Sequence, residues 1–146
     1  MFLMNSPISN LPLLLASMAP ELHEGAYAYC VVPHGTDVSS FSPVATVAEA
    51  EGLTLVVPEA QALAADLEVL FRAAWITLTV HSDLQAIGLT AAFATALGRA
   101  GISCNVIAGA FHDHIFVPHD QAQQALATLR ELQRESASAS MRSPAA

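Results

Sequence analysis

The residues best suited to chemistry fall in two short histidine-containing stretches. His81 follows one apolar run, and His112, Asp113 and His114 lie in another, with His119 just beyond. Because side chains two apart in a strand share a face, His112 and His114 are expected to point together and Asp113 the other way. Zinc accepts imidazole and carboxylate ligands, so a third histidine would complete a metal site. The alternative is that these histidines lie at strand ends, bond to backbone and carry no chemistry.

Nucleophilic catalysis finds less support in the sequence. Cys104 lies among apolar neighbours in a predicted strand, where a thiol is more often inert packing than a nucleophile. Ser82 does not occupy the sharp strand-to-helix turn that activates a hydrolase serine. Cys30 and Cys104 show no metal or redox spacing, so both are expected to be reduced, and no catalytic residue is assigned.

Gly88 is the more informative residue, since it precedes an otherwise well-formed predicted helix. A glycine there lets the backbone pass close to another group, and the free amides and dipole of a helix start suit a small carboxylate. Gly88 could equally permit tight packing of the helix on a strand. The sequence leaves both interpretations open.

The charge balance excludes several functions. The 146 residues include 13 acidic and 5 basic side chains, for a net charge of −8, and all five bases are arginine. Without lysine there is no Schiff base, phosphate-loop lysine or pyridoxal-phosphate anchor. Nucleic acid is not an expected partner, because its phosphates demand clustered cations. Arg72 and Arg99 lie outside the candidate motifs, so a small zwitterion fits the available charges better than a phosphate ester or a dicarboxylate.

The apolar character does not indicate a membrane protein. Although 53% of the residues are hydrophobic, no uninterrupted run approaches the roughly 20 residues that span a bilayer. Residues 13–19 imitate a signal peptide with a small-residue cleavage site, but no basic side chain precedes Arg72. We therefore expect a cytoplasmic protein with no membrane partner.

Hydrophobic periodicity and turn residues divide the chain into two related halves. The second half is predicted as strand, helix, strand, strand, helix, and the first half repeats this pattern without its leading strand. The predicted elements are helix 10–18, strand 26–32, loop 33–43, strand 53–57, helix 59–67, strand 75–80, helix 88–100, strands 103–108 and 110–117, and a last helix from about 120. The corresponding subdomains are 1–68 and 72–134, followed by a low-complexity tail, 135–146, expected to be disordered.

Four segments in order, together with their spacing, resemble an ACT domain. They are residues 75–82 (WITLTVHS), 87–91 (IGLTA), 100–107 (AGISCNVI) and 112–118 (HDHIFVP). The first half is matched more loosely, through residues 24–27 and 51–56. The chain is similar to small bacterial tandem-ACT proteins, which are related to aspartokinase regulatory domains and to cytosolic arginine sensors.

The resemblance implies an α/β fold of the α+β kind. Two intertwined ferredoxin-like βαββα units would form antiparallel sheets covered by helices on one face, and they would bind an amino acid between ACT units without catalysis. The ligand carboxylate would meet backbone amides of the strand-to-helix loop, a facing strand would line the pocket, and an acidic residue would meet the amine. The residues implied are His81, Ser82, Ile87, Gly88 and Leu89 in the loop, Asn105, Val106 and Ile107 in the facing strand, and Asp113 for the amine.

This sequence departs from the family pattern at Ile87, where an acidic residue or proline usually precedes the loop glycine. The ligand side chain is therefore not readable from the sequence. The leading hypothesis is a homodimeric regulatory protein that binds an amino acid or similar zwitterion, with no cofactor. One alternative is a metal-dependent hydrolase using His81, His112, His114 and Asp113. The other is a self-association module using the alanine faces of the predicted helix, namely Ala91 with Ala94 and Ala92 with Ala96.

Overall fold

A computed structural model describes residues 6–142 of the chain. Within them, strands and helices follow one another along the chain as α1 (Leu11–Ser17), β1 (Pro20–Leu22), β2 (Tyr27–Val32), β3 (Ala45–Ala48), β4 (Leu53–Pro58), α2 (Glu59–Ala64), β5 (Phe71–Leu78), α3 (Leu89–Arg99), β6 (Asn105–Ala108), β7 (Asp113–Pro118), a 3-10 turn (His119–Gln121) and α4 (Ala122–Arg142).

The strands form one antiparallel sheet in the order β3-β4-β2-β5-β7-β6. The long strand β5 is shared between the two halves of the chain. Its first residues pair with β2, where Tyr29 lies opposite Phe71, and its last residues pair with β1, where Pro20 lies opposite Leu78. β7 runs along its other edge. The first unit thus consists of β2 to β5, and β5 is both its last strand and the first strand of the second unit.

The internal repeat appears in the backbone as well as in the sequence. β4 ends at Pro58 with φ −52° and ψ 132°, and β7 ends at Pro118 with φ −52° and ψ 133°. Each proline leads into a helical segment, because its fixed φ suits a helix start. Together with the shared β5, this confirms the predicted fold class of two intertwined α/β units.

The N-terminal segment completes the second unit. Leu14 and Met18 are fully buried in the core formed with Phe93 of α3 and Leu129 of α4. The Gln133 side-chain amide donates to the Ala16 carbonyl at 3.1 Å and ties α4 to α1. Residues 11–22, which the sequence analysis places in the N-terminal subdomain, therefore pack in the core of the other unit.

The first unit has a smaller core, and part of it comes from a loop. Ala28, Cys30 and Leu55 are fully buried in it, and Val38 and Phe41 of the 33–44 loop pack against them. This loop follows β2 as α3 follows β5, so irregular chain takes the place of a helix. The opposite face of the sheet carries aromatic side chains instead of helices.

Some predicted boundaries were wrong. Strands β1 and β3 were not predicted, and the strand predicted at 75–80 is β5, which begins at Phe71. The tail predicted as disordered is helical over residues 135–142, because α4 continues to Arg142; residues 143–146 lie outside the described part. Alanines favour this extension, and the Ser136 hydroxyl donates to the Leu132 carbonyl at 2.8 Å. None of the described helices combines the length and apolar character needed to cross a bilayer.

Candidate functional site

The candidate site lies where the β5–α3 loop meets the start of β7. Antiparallel pairing sets Leu78 opposite Asp113, so the loop that follows β5 passes beside the Asp113 side chain. The Ser82 hydroxyl donates to Asp113 Oδ2 at 3.5 Å, and the Ser82 amide donates to the Phe111 carbonyl at 3.3 Å. Ser82 and Asp113 are 8% and 7% exposed, and they are therefore buried polar side chains facing one another.

A cavity of about 70 Å³ opens between these groups and α3. Its lining residues are Ser82, Asp83, Leu84, Ala86, Leu89, Thr90, Ala108 and Asp113. A liquid water takes up about 30 Å³, whereas pockets for drug-sized ligands exceed about 300 Å³. The cavity therefore has room for a polar head group, and the rest of a ligand would have to lie outside it.

Asp113 supplies a negative charge that the protein itself barely compensates. Burial raises the pKa of its carboxyl, and the hydrogen bond from Ser82 and the charge of His112 oppose that rise in part. Between described residues, ion pairs join Arg72 to Glu59 and Arg134 to Glu131, and neither involves Asp113. Because an unpaired buried carboxylate is costly, the site favours a positively charged ligand group.

The start of α3 supplies the complementary polarity. Its N-cap is Gly88 at φ 104°, with no side-chain cap, and no acidic residue lies in its first turn. The first-turn residues Leu89 and Thr90 line the cavity. The positive end of the helix dipole thus lies beside a small polar cavity, as carboxylate binding requires.

The packing interpretation of Gly88 also has direct support. A Cβ atom at this position would lie 2.7 Å from Leu11 Cδ2 of α1. The left-handed φ adds a second reason for glycine, since residues with a Cβ rarely adopt it. Gly88 therefore lets α1 approach the loop, whatever the loop binds.

The structure brings together only part of the predicted ligand set. Of the nine residues, Ser82, Leu89 and Asp113 line the cavity. His81 and Gly88 lie in the same loop, while Ile87 is 87% exposed. The strand β6 contributes Ala108, which pairs with Asp113.

The other residues predicted from β6 do not reach the cavity. Ile107 packs with the aromatic cluster on the opposite face of the sheet. Asn105 shares that face by alternation, and its side-chain amide donates to the Phe116 carbonyl at 3.4 Å. Val106 points to the helix side, where it packs against the core.

Sequence reasoning missed Ile8, which holds the loop from its other side. The Ile8 amide donates to the His81 carbonyl at 2.8 Å, and the Asp83 amide donates to the Ile8 carbonyl at 2.9 Å. Ile8 thereby forms a one-residue parallel bridge to Ser82. A lone apolar residue between Pro7 and Ser9 carries no sequence signal for such a role.

The histidine cluster considered as an alternative metal site is not brought together among the described residues. The His114 ring bonds to Trp75 and Thr77 on the aromatic face of the sheet, whereas Asp113 points to the helix side. His112 Nδ1 lies 3.1 Å from the Val80 carbonyl oxygen. Within residues 6–142, no three His, Cys, Asp or Glu side chains are grouped to hold a metal ion. The metal-dependent hydrolase alternative therefore loses its ligand set.

Among the residues that the structure describes, the first unit has no equivalent of this site. Leu53 lies five residues before Pro58, as Asp113 lies five before Pro118, and it pairs with Val32 of β2. Leu53 and Phe41 pack against the apolar core of that unit. The position equivalent to the buried acid is therefore filled by hydrocarbon.

Both units of the chain resemble known proteins. Two ACT-domain family models match the chain, one over residues 6–74 and the other over residues 71–131. The crystal structure of a Vibrio cholerae protein of unknown function, a possible transport protein, is 54% identical and has a TM-score of 0.77. The match covers 84% of this chain and 95% of that one. No curated protein matches the chain.

Two aspartokinase structures share the fold at low identity. The ligand-free regulatory subunit of Thermus thermophilus aspartate kinase is 9% identical, with a TM-score of 0.55, over 80% of this chain and 98% of that one. Escherichia coli aspartokinase III, in complex with aspartate and ADP, is 11% identical with a TM-score of 0.60. There the match covers 78% of this chain and 33% of the larger enzyme.

Proposed function

Since the chain belongs to the ACT-domain family, we propose that it is a regulatory protein that binds an amino acid in the cavity at the start of α3. Family membership supports a ligand-binding regulatory role in general. The choice of ligand and of site is argued from this chain's own residues.

The observation that carries the proposal is the buried carboxylate of Asp113. It is 7% exposed, it lines a cavity, and its hydrogen-bond partner in the described chain is one hydroxyl at 3.5 Å. A ligand ammonium group in the cavity would supply the missing counter-charge. The α-carboxylate of the same ligand would then face the first-turn amides of α3.

The ligand side chain would lie toward solvent in the single chain. Next to the cavity, Leu84 is 65% exposed and Ile87 is 87% exposed, so this end of the molecule offers apolar surface to a side chain. Apolar or partly apolar amino acids fit that surface better than dicarboxylates, given the net charge of −8.

We test the proposal by thermal melting of the protein with each amino acid in turn at millimolar concentration. A ligand that binds only the folded state adds about 2.7 kcal/mol at a hundred times its Kd. At least one amino acid should raise the melting temperature of the wild type, and Asp113→Asn should abolish that rise. The matched control Asp120→Asn removes the same charge at an exposed position and should keep the rise. The proposal fails if no amino acid shifts the wild type.

We also propose a cytoplasmic homodimer, with self-association through α3 as one route to it. Ala92 and Ala96 line a groove of about 510 Å³ between α3 and α4, and Arg99 and Glu131 line it as well. Ala96→Glu should reduce the oligomer size measured by light scattering, while the exposed Gly98→Glu on the same helix should not. An unchanged size in Ala96→Glu would place the contact elsewhere.

A further inference from the structure

The aromatic face of the sheet carries a hydrogen-bonded histidine pair that the proposed ligand site does not use. His23 stacks on Trp75 with ring centroids 3.5 Å apart, and His23 Nε2 lies 2.7 Å from Thr77 Oγ1. Thr77 Oγ1 lies 3.0 Å from His114 Nδ1, and the Trp75 indole N–H donates to the same Nδ1 at 3.0 Å. Three elements meet in this cluster: the β1–β2 linker, β5 and β7.

The geometry assigns the protons. An indole N–H is only a donor, so His114 Nδ1 must accept and cannot carry a hydrogen. The Thr77 hydroxyl is then left to donate to the same nitrogen, and its oxygen accepts from Nε2–H of His23. His114 is therefore neutral in this arrangement, because a proton on Nδ1 would face both donated hydrogens. His23 keeps its donor role whether or not it is charged.

The surroundings oppose charge on both rings. Burial lowers the pKa of His114, and the neighbouring charges of His112 and His23 lower it further. Burial also lowers the pKa of His23, and the charge of Glu21 opposes that shift. Tyr27 packs against Trp75 with ring centroids 5.2 Å apart and the ring planes nearly perpendicular. Protonation is thus expected below the usual histidine pKa of 6.5.

We propose that His114 is a proton-operated latch. Neutral His114 holds the Trp75 indole and, through Thr77, the His23 ring. When Nδ1 takes up a proton, it can accept from neither donor, so the indole N–H and the Thr77 hydroxyl lose this partner, while the His23 amide stays bonded to the Trp75 carbonyl at 2.9 Å. His23 begins the 23–26 linker, and the Glu59 amide of the first unit donates to Ala26 of that linker at 2.9 Å. Acidification would therefore remove side-chain hydrogen bonds that support a segment joining the two units.

Trp75 is the single tryptophan of the chain, so its fluorescence reports on the cluster directly. Titration from pH 8 to pH 5 should show an emission change with a midpoint below 6.5, while far-UV circular dichroism stays constant. His114→Gln should remove the transition, because a side-chain amide oxygen still accepts from the indole but does not titrate. The exposed His34→Gln serves as a matched control and should keep it.

A flat titration of the wild type would overturn the proposal. So would a transition that persists in His114→Gln, or one that coincides with loss of circular dichroism. Imidazole nitrogen NMR of the wild type gives a second measurement, which does not depend on the folding of His114→Gln. Nδ1 of His114 should be unprotonated at pH 7.5 and should gain its proton over the range of the fluorescence change; a protonated Nδ1 at pH 7.5 would contradict the latch.

Discussion

Burial of the Asp113 carboxyl lowers the stability of the folded protein when that carboxyl is ionised. Its pKa is raised by burial above the usual 3.8, so folding favours the protonated form. The stability that this group contributes is present below about pH 3.8 and is lost as pH rises through the folded-state pKa. At neutral pH the ionised Asp113 therefore destabilises the folded protein when no ligand is bound.

Because ionised Asp113 lowers the stability of the folded protein at neutral pH, removing its charge should stabilise the protein. Asp113→Asn should melt at a higher temperature than the wild type at pH 7, because an amide removes the buried charge and keeps the shape. The difference should shrink as pH falls toward 4, where the wild-type carboxyl becomes protonated. Calorimetry at several pH values measures it, with Asp120→Asn as the exposed control. A variant less stable than the wild type at pH 7 would show that Asp113 is well paired.

Gly88 gives a second prediction at the residue scale. Gly88→Ala should cost about 1–2 kcal/mol in the free energy of unfolding, since alanine is strained at a left-handed φ of 104°. The new Cβ would also push against Leu11. Leu11→Ala in the same chain relieves that contact but not the backbone strain, so denaturant unfolding should show only partial compensation. Full compensation would mean that packing alone requires the glycine.

Among the elements, the N-terminal segment from Ile8 to Leu11 has a role that the sequence did not suggest. It fixes the loop of the candidate site. Ile8 bonds to both His81 and Asp83, and Leu11 packs beside Gly88 at the far end of the same loop. The segment continues into α1, which packs on α4. This segment therefore links the loop of the candidate site physically to α4, the longest described helix.

Ile8→Pro tests this connection. The substitution removes the amide that donates to the His81 carbonyl, so it should cost about 0.5–1.5 kcal/mol. Hydrogen exchange of the Asp83 amide should speed up at the same time. Ile8→Val keeps both backbone hydrogen bonds and should leave that exchange rate close to the wild type. Equal protection of Asp83 in the proline variant would mean that Ile8 does not hold the loop.

Strands with a strong local pattern were predictable, and those that depend on distant partners were not. Alternation and β-branching identified most of β2, β4 and β5. β1 is only Pro20–Leu22 and begins with proline, and β3 is half alanine, so neither carries a local signal. Both exist because a neighbouring strand supplies their hydrogen bonds.

The residues themselves indicated Gly88 and the start of the helix after it, whereas the role of Asp113 was predictable only through family resemblance. Asp113 and Ser82 are 31 residues apart in sequence, and they meet because of the β5–β7 register, which no local pattern specifies. The same resemblance gave Ile107, which the sheet places on the opposite face. Assigning which residues of β6 face the cavity requires the register with β7.

At the scale of the whole molecule, one sheet built on a shared strand carries one candidate site within residues 6–142. The second unit has a buried acid, whereas Leu53 and Phe41 fill the equivalent region of the first. Isothermal titration calorimetry with an amino acid that raises the melting temperature should therefore give one ligand per chain. Two ligands per chain would show that the first unit also opens a site.

The central claim is that an amino acid binds with its amine at Asp113 and its carboxylate at the start of α3. A crystal structure with the amino acid that most raises the melting temperature tests this most directly. We predict electron density beside Asp113 Oδ2 and the amides of Leu89 and Thr90, with the ligand side chain toward Leu84. A bound amino acid lying away from Asp113, for example in the groove between α3 and α4, would contradict the account.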